Sequence, residues 1–118
     1  MSGDWFSETL YPEFQQSLTI DDVLFEGCTA FQDAVIFRNS RFGRVLTLDG
    51  VVQTTERDEF CYHEMMAHVP MIAHGAVEKV LIIGGGDGGV LRETLKYPTV
   101  QTTMIELDET VVEICREH

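Results

Sequence analysis

The sequence predicts an α/β protein in which a small N-terminal β-stranded domain precedes the start of a doubly wound parallel sheet. The first half alternates short runs of β-forming residues with turn residues. The apolar run 80–83 then breaks into a glycine-rich segment at 84–89, which is typical of a strand, a tight turn and a helix. Glu106 ends the next apolar segment about 20 residues further on, where a second parallel strand is expected.

Residues 1–55 are expected to form the β-stranded domain as a meander or a set of hairpins. Strands are predicted over 18–25, 34–37, 44–48 and 51–54. The pair Asp49-Gly50 between the last two strands predicts a type I′ hairpin, because both central residues of that turn need a positive φ. The segment 39–41 predicts a second turn.

Residues 56–118 are expected to form the first part of the parallel α/β domain. Thr55 followed by Asp58 resembles a capping box, so a helix should begin there and end near Gly75, with Pro70 kinking or breaking it. Within this helix, Met65 and Met66 are expected to fill the core. Parallel strands are predicted over 80–83 and 102–107, and helices over the residues after 89 and over 109–118.

Composition and charge exclude several classes of function. A net charge of −12 with only 8 basic residues argues against nucleic acid as a partner, since phosphate binding needs Lys and Arg. The three cysteines are odd in number and lack metal-ligand spacing, which favours a reduced cytoplasmic protein. The sequence contains neither a long apolar span nor a signal peptide, so we expect no membrane association. Because the cysteines lack metal-ligand spacing, we also expect no bound metal.

The glycine-rich segment predicts a nucleoside-binding site. Gly84, Gly86 and Gly89 fit the pattern G-x-G-x-x-G, so a nicotinamide dinucleotide must be considered. However, Asp87 would face the pyrophosphate, and two charges about 4 Å apart repel by roughly 4 kcal/mol at an effective dielectric constant near 20. A sulfonium nucleoside, which is cationic and lacks phosphate, fits better, with Gly84, Gly85 and Gly86 near the ligand and Glu106 binding two ribose hydroxyls.

Spacing alone leaves other candidate residues open. His63 is favoured as a buried core histidine, and Tyr62 is as consistent with packing as with binding. Gln32 and Gln53 suit solvent-facing strand positions. His68 and His74 are expected at the surface or a helix end, where they are assigned no role.

Two long motifs carry a resemblance to a known family. The run 43–60, GRVLTLDGVVQTTERDEF, is followed by the run 62–65, YHEM, and later by VLIIGGGDGG over 80–89 and LRE over 91–93. Together they resemble the polyamine aminopropyltransferases of the spermidine synthase type. The resemblance implies an N-terminal β-domain and a Rossmann-like domain of the methyltransferase type. It also implies transfer of an aminopropyl group from decarboxylated S-adenosylmethionine to putrescine, giving spermidine and methylthioadenosine.

The resemblance assigns roles to individual positions, without a metal or a prosthetic group. It places nucleoside contacts at Gln32, Gln53 and Glu106, the diamine pocket at Tyr62 and His63, and the amine-binding carboxylate at Asp87. Tyr62 is also a candidate for positioning or deprotonating the amine, whereas the principal catalytic aspartate is expected beyond His118. Family members are commonly dimeric, so a homodimer or higher homo-oligomer is expected.

Three functional hypotheses stay open. The first is an aminopropyltransferase. The second is an S-adenosylmethionine-dependent methyltransferase, which shares the glycine loop and Glu106 but does not account for the run 54–65. The third is a non-catalytic or truncated remnant, because two parallel strands cannot form a complete doubly wound sheet. The 118 residues alone are therefore expected to be inactive and to associate through their uncovered sheet.

Overall fold

The computed structural model of the protein describes residues 4–118, which divide into two compact units. The first unit runs to Asp58 and includes the terminal His118, and the second comprises Glu59–Glu117. Strands dominate the first unit, whereas helices alternate with parallel strands in the second. The predicted order, a β-stranded part followed by the start of a parallel α/β sheet, is confirmed.

The first unit contains two antiparallel sheets. Its strands are β1 (Asp4–Ser7), β2 (Ser17–Ile20), β3 (Asp22–Cys28), β4 (Asp33–Asn39), β5 (Gly43–Leu48) and β6 (Val51–Thr55). Strands β1 and β2 pair with each other, and β3 to β6 form a four-stranded meander. Leu18, Phe37 and Val45 form the buried core of this unit, so side chains from both sheets contribute to it.

The single strand predicted over 18–25 is wrong. The chain leaves β2 at Ile20, and Asp21 donates its backbone N–H to the carbonyl oxygen of Arg38 at 2.8 Å before β3 begins. The polar pair Asp21-Asp22 interrupts the apolar run at the point where the chain passes from one sheet to the other. The apolar pattern detected both strands but not the break between them.

Both predicted turns of the meander are confirmed. Asp49 and Gly50 have φ values of 49° and 74°, as the type I′ turn between β5 and β6 requires. At the other turn, the buried Asn39 accepts hydrogen bonds on Oδ1 from the backbone N–H groups of Arg41 at 2.9 Å and Phe42 at 3.0 Å. The asparagine side chain thus replaces a backbone acceptor in the loop.

The second unit is built around a pair of parallel strands. Its elements are α1 (Glu59–His74), β7 (Lys79–Ile83), α2 (Gly89–Thr94), β8 (Gln101–Ile105) and α3 (Glu109–Glu117). Strands β7 and β8 pair in parallel with Ile83 opposite Ile105. Both strands therefore end at the same edge, where the glycine-rich loop follows β7 and Glu106 follows β8.

Helix α1 corrects two predictions. It is a continuous helix of 16 residues, so the predicted break at Pro70 is wrong. A proline inside a helix costs about 3 kcal/mol, but burial of His63, Ala67 and Met71 on the inner face opposes that loss. Met65 and Met66 are more than half exposed, at 59% and 51%, and do not fill the core of the described unit.

Candidate functional site

The loop between β7 and α2 depends on glycine at three positions. Gly84, Gly85 and Gly88 have φ values of 80°, 83° and 77°, a region that side chains with a Cβ rarely adopt. The N–H of Gly84 donates to the carbonyl oxygen of Ile105 at 2.8 Å, and the N–H of Gly88 donates to that of Gly85 at 2.8 Å. The loop therefore folds back over the ends of the two parallel strands.

Gly86 brings the loop backbone against Glu106. A Cβ atom at position 86 would lie 3.1 Å from Oε2 of Glu106 and 3.0 Å from Cγ1 of Val111, so a larger residue would press on both side chains. The other carboxylate oxygen of Glu106, Oε1, accepts the backbone N–H of Asp108 at 3.1 Å. Glu106 is therefore held in one orientation at the edge of the sheet, directly beside the loop.

Asp87 presents a fixed carboxylate in the loop. Its Oδ1 accepts the backbone N–H of Gly89 at 3.0 Å, and its Oδ2 lies 3.0 Å from Nε2 of His63. A carboxylate has about four acceptor positions, so these two contacts orient Asp87 without using its full capacity. Its side chain is 20% exposed, which leaves it accessible to a ligand.

His63 lies beneath the loop and is 2% exposed. Its two ring nitrogens face two carboxylates, Nδ1 that of Glu59 and Nε2 that of Asp87. The ring also packs against Gly89 so closely that a Cβ added to this glycine would lie within the ring. Both the packing and the two polar contacts therefore fix the imidazole in place.

A second ion pair continues from Glu59. Nη2 of Arg92 donates to Oε2 of Glu59 at 2.8 Å, while Nε of Arg92 donates to Oε1 of Glu93 at 2.9 Å. The hydrogen bond from Arg92 lowers the pKa of Glu59, and Glu59 and Glu93 together raise the pKa of Arg92. All three groups are therefore charged at neutral pH.

Glu93 is the most completely buried carboxylate of the cluster, with 1% exposure. Its partners are Lys96, Arg92 at 2.9 Å and His68 at 3.0 Å. The bond to Lys96, helped by those to Arg92 and His68, lowers the pKa of Glu93 to about 2 despite its burial. Nδ1 of His68 also contacts the hydroxyl of Tyr97 at 2.8 Å. The prediction that His68 lies at the surface or a helix end is wrong, because its partly buried ring joins α1 to α2, whereas its lack of a functional role stays a prediction.

The remaining predicted residues are Tyr62 in the second unit and two glutamines in the first. Tyr62 is 59% exposed and meets the His63 ring edge-on, with ring centroids 5.4 Å apart. Gln32 and Gln53 belong to the first unit, where Gln32 precedes β4 and Gln53 lies in β6. Gln53 is the extra residue of a β-bulge, since Leu46 pairs with Thr54 and Thr47 with Val52. A bulge interrupts the alternation of successive side chains between the two faces of a sheet. Gln53 is exposed at this position.

The sequence assigned no role to Glu59, Arg92 or Glu93. The spacing of Glu59 and His63 could have indicated their contact, because residues four positions apart lie on the same face of a helix. No pattern linked Arg92 to Glu59, since they lie 33 positions apart and meet only through folding.

Burial and the nearby charge of Asp87 raise the pKa of Cys115 to about 11, so this thiol stays protonated at neutral pH.

The site has the features of a nucleoside-binding domain of the α/β class: a glycine loop after the first parallel strand, an acid after the second, and a carboxylate within the loop. None of the helices within residues 4–118 combines the length and apolar character needed to cross a membrane. In the same residues, no cluster of three or more His, Cys, Asp or Glu side chains is arranged to hold a metal ion.

Comparison with protein families identifies both units. The spermine/spermidine synthase domain matches residues 59–118, and the spermidine synthase tetramerisation domain matches residues 4–56. The chain belongs to the spermine/spermidine synthase family, and the resemblance drawn from its motifs is confirmed. The methyltransferase hypothesis does not account for the match to the tetramerisation domain.

Individual relatives agree with this assignment. The chain is 61% identical over 112 residues to a polyamine aminopropyltransferase of Sodalis glossinidius, a match covering 94% of this chain but 39% of that relative. A solved spermidine synthase in complex with the transition state analogue AdoDATO superposes with a TM-score of 0.94 and 43% identity, covering 100% of this chain and 42% of that one. The spermidine synthase of Thermotoga maritima gives a TM-score of 0.91 and 44% identity, covering 97% and 41%. The chain thus spans about two fifths of the length of these proteins.

Proposed function

We propose that the complete protein is a spermidine synthase, which transfers an aminopropyl group from decarboxylated S-adenosylmethionine to putrescine. The single observation that carries the proposal is the fixed and partly exposed carboxylate of Asp87 within the glycine loop. The names of the relatives and the AdoDATO complex support the same reaction.

The donor side of the proposed site consists of the loop and Glu106. Glycines at 84–86 let the backbone approach the nucleoside closely, and Glu106 is held in position to accept hydrogen bonds from ribose hydroxyls. By the family resemblance, we assign Gln32 and Gln53 as additional nucleoside contacts. Asp87 would repel the carboxylate of ordinary S-adenosylmethionine and attract the amine of its decarboxylated form, which gives selectivity between two donors of similar shape.

The acceptor side is assigned to Asp87, Tyr62 and His63. Asp87 binds an ammonium group through the acceptor positions that its two protein contacts leave open. Tyr62 is exposed beside the His63 ring and is assigned to orient the amine that attacks. The buried ring of His63 is assigned to hold the carboxylate of Asp87 in position through its Nε2 atom.

The transfer requires no redox step. The neutral amine nitrogen of putrescine attacks the methylene carbon beside the sulfonium, and a C–N bond forms as the C–S bond breaks. The electron pair of the broken bond stays on sulfur, which becomes the neutral thioether of methylthioadenosine. The new secondary ammonium then loses one proton to a general base. The described residues therefore bind and orient the two substrates, and the positive charge on sulfur supplies the leaving group.

An assay on the complete protein tests the proposal directly. Decarboxylated S-adenosylmethionine and putrescine should yield methylthioadenosine and spermidine in equal amounts, and calorimetry should detect binding of methylthioadenosine. Replacement of Asp87 by Asn should raise the KM for putrescine or lower turnover at least about tenfold, because a bound ammonium loses its counter-charge. Tight binding of NAD, or methyl transfer from ordinary S-adenosylmethionine, would refute the proposal.

Three further assignments accompany the activity. We propose that the complete protein forms a homo-oligomer, a dimer or a larger assembly, supported by the match of residues 4–56 to a tetramerisation domain. We also propose a domain boundary at residues 55–56 and a cytoplasmic location. Light scattering coupled to size-exclusion chromatography measures the oligomeric state.

A further inference from the structure

We propose that Glu59 is a positioning residue for amine recognition, which acts through His63 on Asp87. The inference rests on the proposed function, because it takes Asp87 as the group that binds the ammonium of the acceptor. The observation behind it is a line of three side chains in which each ring nitrogen of His63 contacts one carboxylate, Glu59 on one side and Asp87 on the other.

His63 is built to act on Asp87 rather than on a ligand. The ring is 2% exposed, and its contact with Gly89 leaves it no room to rotate toward solvent. Its Nε2 meets Oδ2 of Asp87 at 3.0 Å, while Oδ1 of the same carboxylate is held by the N–H of Gly89 at 3.0 Å. The orientation of Asp87 is therefore set by two donors, one from the backbone and one from His63.

The position of Glu59 gives it its role. Its carboxylate contacts Nδ1 of His63, so it fixes the orientation of the ring and with it the direction in which Nε2 faces Asp87. Without this carboxylate the ring is held only by its packing and by Asp87 itself. Glu59 therefore sets the orientation of Asp87 through His63.

Arg92 and Glu93 hold Glu59 in place. Nη2 of Arg92 donates to Glu59 at 2.8 Å, and its Nε donates at 2.9 Å to the buried Glu93. The positive charge of Arg92 is thus shared between two carboxylates, and Glu93 is further compensated by Lys96 and His68. These contacts fix the side chain of Glu59 on the side of His63 opposite Asp87.

Steady-state kinetics of the complete protein separate this role from a general structural one. Glu59→Gln keeps the size of the side chain but removes its charge, and should raise the KM for putrescine about tenfold, the usual effect of removing a group that orients a ligand-binding residue. The affinity for methylthioadenosine, which lacks the amine that Asp87 attracts, should stay within about twofold in calorimetry, since Glu106 and the loop glycines are untouched. Glu113→Gln removes the same charge from an exposed position of α3 and should change neither constant.

A double variant that combines Glu59→Gln with Asp87→Asn shows whether Glu59 acts through Asp87. If Glu59 acts through Asp87, then Glu59→Gln should raise the KM for putrescine in the parent but cause no further rise in the Asp87→Asn variant. An equal rise in both backgrounds, or an equal loss of affinity for methylthioadenosine, would overturn the inference. If Asp87→Asn raises the KM and Glu59→Gln does not, the inference fails alone. If Asp87→Asn has no effect, the amine site of the proposed function fails, and the inference fails with it.

Discussion

Substitution of Gly89 by alanine tests the packing on which the loop depends. Gly89 is the first residue of α2, and the ring of His63 occupies the space where its Cβ would lie. Alanine is the better helix former by about 1 kcal/mol at most. The added methyl group must displace the ring, and overpacking of this kind costs about 1–3 kcal/mol. The clash should outweigh the propensity, so we expect a net loss of about 1–2 kcal/mol in the free energy of unfolding.

Equilibrium unfolding of the complete protein in denaturant, at fixed protein concentration, measures this loss. The decisive comparison is the same substitution in a His63→Ala background, where the ring is absent. There Gly89→Ala should be neutral or should stabilise by up to about 1 kcal/mol. An equal cost in both backgrounds, or a gain in the parent, would refute the reasoning.

Gly75→Ala is the matched control for backbone strain. Gly75 has a φ of 80° and no atom near the position of a Cβ. Alanine there should cost about 1–2 kcal/mol through its left-handed conformation alone, and this cost should be the same with or without the His63 ring. The two glycines therefore separate a steric requirement from a conformational one.

Three other predictions follow from separate features. The pKa of Glu93 is lowered to about 2 from an ordinary value of 4.5, chiefly by Lys96, so the unfolded chain binds a proton first as the pH falls. The stability supplied by Glu93 is present above pH 4.5 and is lost toward pH 2, and Glu93→Gln should flatten this part of a pH series of unfolding midpoints. Gly86→Ala should weaken methylthioadenosine binding about three- to tenfold in calorimetry, because the methyl group presses on Glu106; unchanged affinity would remove that contact from the site. Gly50→Ala should lower the unfolding midpoint by the equivalent of about 1–2 kcal/mol, because its φ is 74°, and an unaltered midpoint would contradict the type I′ assignment.

Local chemistry made part of the fold predictable. The hairpin at Asp49-Gly50 followed from a two-residue turn requirement, and both φ values agree with it. The glycine loop and the position of Glu106 followed from the geometry of parallel strands, whose ends meet at one edge. In these cases a few adjacent residues determine the structure, so the sequence alone was sufficient.

Features that depend on long-range contacts were not predictable. The run 18–25 contains β-forming residues on both sides of Asp21-Asp22, but its halves join different sheets, which only the pairing partners show. Gln53 occupies a bulge that is visible only from its register against β5. The link from Glu59 through Arg92 to Glu93 joins two helices whose approach no local pattern encodes.

The burial of Glu93 has a consequence for the response of the protein to ionic strength. The charges of Arg44 and Glu56 in the first unit are each 49% exposed, so dissolved ions screen their pair readily. Glu93 is 2% exposed in its side chain, whereas its partners Lys96 and Arg92 are 54% and 51% exposed, so dissolved ions screen these pairs only in part. Moderate salt also weakens the mutual repulsion within a chain of net charge −12. Salt should therefore favour the folded protein, because the repulsion that it removes is spread over the surface while the attraction around Glu93 is screened less.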